Sequence, residues 1–206
     1  MSHFTVTVAL PGDITADEIQ AALDTALAPY DENKEVEPYV SHTAADIVED
    51  TRYQLYRVEH HPDCTPADWY GGEMDEHGNV LSTHNPDSHW DWWVIGGRWG
   101  GYWTLKGAVD SDDVLLEATR ACQRNRTDAG RVRAIAPESM KPTYAFVDLG
   151  LTRELPTAGR WNERGSMGWF GLSSGDKPEE AWEQEYLRWV TSLPTDTWLA
   201  LVDAHI

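Results

Sequence analysis

A chain of 206 residues, 41% hydrophobic and 25% charged, has enough apolar material for one folded core of ordinary globular composition. Its formal net charge of −19 repels nucleic acid phosphates, so direct DNA binding is not expected. No apolar run approaches the roughly 20 residues of a membrane helix.

The start, Met1-Ser2-His3-Phe4-Thr5-Val6, has neither a basic segment nor a long apolar one. It reads as a mature start, with a cytoplasmic location expected and Cys64 and Cys122 as free thiols. His3 to Leu10 alternates as a strand, Phe4, Val6 and Val8 on one face and His3, Thr5 and Thr7 on the other. Thr15 and Glu18 make a capping-box pattern, and Ile19, Leu23 and Leu27 continue it as a helix over about 16–28. After the acidic stretch Tyr30 to Tyr39, a second helix is predicted over 43–59. Its stripe would be Ala44, Ile47, Val48, Thr51, Leu55 and Val58. His60 to His89 lacks periodicity and reads as a long polar loop or insertion inside a single domain spanning 1–206. Trp90 to Leu105 reads as two short strands, or one strand bulged at Gly96-Gly97 and Gly100-Gly101. A helix capped by Asp112 or Asp113 is predicted through Val114, Leu115, Ala118 and Cys122. It leads into a basic cluster, Arg120, Arg124, Arg126, Arg131 and Arg133. Thr143 to Leu149 is a predicted strand, and Gly165 to Gly171 a turn region. Pro178 opens a helix with Trp182, Tyr186, Trp189 and Val190 on one stripe. Trp198 to Ile206 forms a last strand, apolar on both faces until Asp203 and His205, which suits a central place in a sheet. Strands and helices mix without a β-α-β rhythm, so the fold class is α+β, a mainly antiparallel sheet with packed helices.

The Met-Ser-His-Phe-Thr-Val start, Leu27-Ala28-Pro29-Tyr30-Asp31-Glu32-Asn33, Asn85-Pro86-Asp87-Ser88-His89-Trp90-Asp91-Trp92-Trp93 with Ile95-Gly96-Gly97-Arg98-Trp99, Gly165 to Gly171, and the terminal Val202-Asp203-Ala204-His205-Ile206 stand out as motifs. Together they resemble a family of phage and prophage proteins of unknown function. The resemblance implies a phage or prophage origin and carries no activity, fold or cofactor. It also implies a Cys before the last His, where this chain has Ala204, so any role of that thiol is absent.

Four constellations could carry chemistry. Five of the eleven Trp lie between residues 90 and 103. Trp90, Asp91, Trp93, Arg98 and Trp99 are ligand-binding candidates: indoles stack on planar rings and a guanidinium holds an anion. If that segment is extended, Asp91 and Trp93 share one face and Trp90 and Trp92 the other. The competing reading makes the Trp core residues and pairs Arg98 with a carboxylate such as Asp91. Asp203 and His205 share a strand face and are catalytic candidates, with His3 as a neighbour if the terminal strands pair. Asp31, Glu32 and Asn33 offer oxygen ligands in what also reads as a solvated loop. His60, His61 and Cys64, with His77, His84 and His89, lack the paired spacing of a zinc site, and no metal or cofactor is assigned.

The leading functional expectation is a phage-type protein that binds a small, nucleotide-like ligand in a Trp/Arg-lined pocket, with action against a host system as its role. The alternatives are a hydrolase using Asp203 and His205 with Asp31 or Glu32, and an acidic inhibitor or DNA mimic of a host protein's basic surface. Carboxylates spread along the whole chain argue against the mimic.

Overall fold

The computed structural model describes residues 2–115, 125–149, 160–168 and 172–206. It is an α+β fold whose chain divides into two compact units, one of Met1–Asp31 with His89–Ile206, the other of Glu32–Ser88. They are called here the sheet unit and the insert.

In chain order, β1 (His3–Leu10) and α1 (Ile19–Leu27) open the sheet unit. The insert holds β2 (Tyr39–His42), α2 (Ala44–Glu49), α3 (Thr51–Glu59), α4 (Pro66–Tyr70), β3 (Glu73–Met74) and β4 (Val80–Ser82). The sheet unit resumes with β5 (Trp92–Ile95), β6 (Trp103–Thr104), β7 (Val114–Leu115), β8 (Arg126–Thr127), β9 (Ala129–Arg131) and β10 (Ala145–Asp148). It ends with β11 (Arg160–Glu163), β12 (Ser166–Met167), β13 (Ser173–Ser174), α5 (Glu179–Ser192) and β14 (Trp198–His205).

The main sheet runs β11-β10-β1-β14-β9-β7, with β5 also on β14. Only β1 and β10 pair in parallel among its ladders. The terminal strands pair along their whole length, His3 opposite His205 and Leu10 opposite Trp198. The other edge of β14 is shared: β9 takes Trp198–Ala200 and β5 takes Val202–His205. β14 is buried throughout, which is why its sequence is apolar on both faces.

Alternation sends Phe4, Val6, Val8, Ala200 and Val202 to one face, where they pack with Ile19, Leu23 and Leu27 of α1. Ala9, Phe146, Leu199 and Leu201 take the other face and meet Trp182, Tyr186, Trp189 and Val190 of α5. Each fully buried side chain of this kind stabilises by roughly 1.5–3 kcal/mol. One polar group sits under α5: the Thr7 hydroxyl bonds Thr143 Oγ1 at 2.9 Å and Tyr186 Oη at 3.1 Å.

The insert has a smaller core, Ile47, Tyr53 and Val80 with Cys64, Trp69 and Tyr70 packed against them. The helix expected over 43–59 is broken at Asp50, whose backbone is extended and whose carboxylate accepts the Arg52 and Tyr53 amides. With the helix broken there, Tyr53 of the second half is buried while Leu55 and Val58 are exposed, and Val48 of the first half is exposed as well. The stretch His60–His89 contains α4, β3 and β4, because Thr65 with Asp68 caps α4 and Asp75 closes a turn onto Asn79. Its pattern is too short-ranged for a periodicity count to detect. Cys64 is a free thiol.

The helix expected after Asp112 is also corrected. Asp110 caps a single turn at Ser111–Asp113, and Val114–Leu115 then pair with β9. Ala118, Cys122, Arg120 and Arg124 lie outside the described residues. The remaining arginines of the basic cluster act as clamps. Arg133 makes a two-pronged contact with Asp113 at 2.9 and 2.6 Å, and Arg131 donates to Gly12 O and Asp196 O while stacking on Trp198. No described helix is long and apolar enough to cross a membrane.

Candidate functional site

The alternating face of β14 changes character along its length. Leu199 and Leu201 lie in the α5 core, but Asp203 and His205, two and four residues on, meet His3 of the neighbouring strand. His3 Nδ1 lies 2.9 Å from Asp203 Oδ1, and the Arg98 amide donates to Asp203 Oδ2 at 2.9 Å. His205 Nδ1 lies 2.6 Å from Asp91 Oδ1, while the Asp91 amide donates to His205 O at 2.9 Å. Two carboxylate–imidazole pairs therefore stand side by side, with ring centroids 5.0 Å apart and planes at 75°.

An ionised carboxylate only accepts, so each pair places the imidazole proton on Nδ1 and leaves Nε2 as the acceptor nitrogen. Neither Nε2 bonds a described residue. Asp203 is 1% exposed and His205 4%, so this polar group is as buried as the apolar half of the strand. It is tolerated because both Asp203 oxygens and both Nδ1 atoms have partners. Trp92 closes the group on the β5 side. Its ring stacks on His205 at 5.6 Å and 16° and meets His3 edge-on at 5.6 Å, yet it stays 44% exposed.

The loop after β5 is built around two buried carboxylates. Gly96 and Gly97 have φ of 68° and 47°, and a β-carbon there would overlap the carboxylates of Asp128 and Asp203 respectively. Asp128 accepts the Gly101 amide and, at 3.1 Å, the Tyr102 amide. The loop starts where the Gly96 amide donates to Leu201 O and the Leu201 amide to Asp128 O, the point at which β14 changes partner from β5 to β9. Arg98 at its tip is exposed, and its guanidinium makes no ion pair or hydrogen bond with a described residue.

The structure brings together Asp203, His205, Asp91 and, through its backbone, Arg98. Trp90 and Trp93 lie elsewhere: Trp90 is in the α1 core with its indole donating to Leu27 O at 3.1 Å, and Trp93 packs against that core. The expected alternation from Trp90 to Trp93 fails because Asp91 is a bend and β5 begins only at Trp92. Asp91 and Trp92 consequently both reach His205. Trp99 packs against the α5 core. The Arg98–Asp91 pair of the competing reading is not formed; Asp91 takes His205 instead. Of the acidic-loop candidates, Asp31 lies in the sheet unit, its backbone bridged to Trp90. Glu32 and Asn33 line a cavity of about 390 Å³ in the insert. Among the described residues no group of three or more His, Cys, Asp or Glu has an arrangement that could hold a metal ion.

Sequence reasoning did not find Asp128, which stands between Thr127 and Ala129 without a motif. Nor did it find a second aromatic–polar group in which His89 stacks on Trp161 at 4.6 Å and 5°. There Glu163 holds His89 Nδ1 at 3.3 Å and the Trp161 indole N–H at 3.0 Å. Residues 72 apart in sequence leave no local signal of that contact. Comparison with protein-family models, with curated proteins and with solved structures finds no match, so the functional reading rests on this geometry.

Proposed function

We propose that His3, His205, Trp92 and Arg98 form the working site, and that it binds a small, planar, anionic ligand of the nucleotide class. The observation that carries this reading is Trp92, nearly half exposed beside two imidazoles that are themselves locked by carboxylates. An exposed indole seated on a rigid base offers a stacking face with little conformational entropy to lose. Two Nε2 atoms and the Arg98 guanidinium, none of them bonded to a described residue, supply polar contacts for an anionic group. The chain's overall negative charge favours a compact ligand over a long polyanion. With the phage-like motifs, a role in sequestering a host signalling nucleotide follows as part of the same proposal.

Titration of the protein with adenosine and guanosine nucleotides, followed by Trp fluorescence and calorimetry, tests this. Saturable binding is expected, with loss of at least tenfold in affinity in Trp92→Ala and in Arg98→Lys, which keeps charge but loses the planar fork. Binding unchanged in both variants would refute the site.

A further inference from the structure

We infer that the two carboxylate-held imidazoles are an acid–base couple for displacement at phosphorus, and that the ligand of this site is a substrate: a small phosphodiester of the nucleotide class, cleaved by water. This rests on the ligand reading above and adds turnover to it.

A binding site alone needs one fixed imidazole at most, and a fixed imidazole needs only one acceptor. Here each of two rings has its own carboxylate on Nδ1, and the rings lie 5.0 Å apart. Acyl transfer through a covalent intermediate would need a nucleophilic hydroxyl or thiol within reach of an imidazole. No described Ser, Thr or Cys side chain is hydrogen-bonded to either ring. In-line displacement at phosphorus has a different requirement. One proton is taken at the attacking oxygen while another is delivered at the leaving oxygen, on the opposite side. Two imidazoles with separate carboxylates match that demand.

In the step, water oxygen forms the new P–O bond and its proton goes to Nε2 of one ring. The other ring enters the step as the imidazolium, protonated on Nε2 as well as Nδ1; the P–O bond to the leaving alcohol breaks, and its electron pair takes that Nε2 proton. Solvent exchange then resets both rings, so no co-reactant is consumed. Asp203 and Asp91 are positioning residues: each holds a ring by Nδ1 and stabilises its cationic form, which the base ring becomes and the acid ring starts as. Asp203 has a second task, because its other oxygen holds the Arg98 amide and so ties the guanidinium-bearing loop to the His3 ring. Arg98, whose guanidinium bonds no described residue and whose amide is held by Asp203, is the charge this step assigns to the non-bridging oxygens.

The test uses the full chain, with EDTA present, and two probes. One is bis(p-nitrophenyl) phosphate, whose leaving group needs no protonation. The other is a dinucleoside monophosphate, whose alkoxide does. His3→Gln and His205→Gln are assayed after CD and urea unfolding show them folded. One variant is expected to lose at least 100-fold in kcat/KM on both probes, and the other to lose that much only on the dinucleoside. Wild type should show a bell-shaped pH profile on the dinucleoside. Equal loss on both probes in both variants contradicts the couple, as does abolition by EDTA. Absent turnover with nucleotide binding intact removes this inference and leaves the ligand reading; absent turnover and absent binding remove both. If either Gln variant fails to fold, the same two-probe comparison on His→Asn variants replaces it.

Discussion

The sheet unit and the insert use the same bond, a backbone amide donating to an aspartate, in opposite settings. In the sheet unit Asp203 and Asp128 are buried, and they hold the glycine loop that carries Arg98. In the insert Asp46, Asp50, Asp68 and Asp75 accept backbone or side-chain donors at the surface, where they start helices or close a turn. Exposed, the bond sets local helix starts and competes with water. Buried, it has no water to fall back on, so it dictates position: loop, carboxylate and imidazole must be together or all are orphaned. The contrast predicts that equal chemical changes in the two units have unequal consequences.

The largest effect is expected from Asp203→Ala. It strands the His3 ring nitrogen and the Arg98 amide, at roughly 1–3 kcal/mol for each orphaned buried group. Urea unfolding followed by far-UV CD should show the loss, and a change under about 0.5 kcal/mol would put Asp203 outside the buried network. Gly97→Ala comes next. Its positive φ and the overlap with Asp203 should cost about 1–3 kcal/mol and displace the loop. A crystal structure of the variant with Arg98 in place would show that the carboxylate gives way instead.

Asp50→Ala should act more weakly and locally. Hydrogen exchange is expected to speed up in α3, whose Arg52 and Tyr53 amides lose their acceptor, while β14 stays protected. Loss of protection in both places would break the comparison. The smallest effect per group is the response to acid. Hydrogen bonds hold the Asp46, Asp50 and Asp68 carboxyls below their ordinary value: from Tyr70 first at Asp50, from the Thr43 and Thr65 side chains first at Asp46 and Asp68. A carboxyl depressed by folding stabilises fully above its unfolded value, 3.8, and that contribution fades as pH falls through the folded one. The insert should therefore lose exchange protection, corrected for intrinsic rate, on acidification below about pH 4. At the other extreme, burial and Asp50 push the Tyr70 phenol up to about 12, so its contribution is lost as pH rises from 10 toward that value.

Much of the sheet unit was legible because its signals are local and periodic. The alternation of β1 and β14, the α1 capping box and the α5 stripe each depend on neighbours within a few residues. Asp203 and His205 stood out as ionisable groups ending an apolar strand, and His3 followed once the terminal strands were allowed to pair. The insert was less legible. Its helix break is decided by a competition at Asp50 between continuing a helix and capping the next one, and periodicity does not price that competition. Asp91 as the partner of His205, and Asp128 under the loop, are long-range choices. They depend on where β14 exchanges β5 for β9, which no local pattern encodes.

The site depends on each imidazole being held through Nδ1. Nitrogen-15 NMR of selectively histidine-labelled protein, with His3 and His205 assigned by substitution, reads this directly at a pH where both rings are neutral. Both are expected as the Nδ1–H tautomer, and Asp203→Ala should release His3 alone. An Nε2–H tautomer at either ring would contradict the paired site and the chemistry built on it.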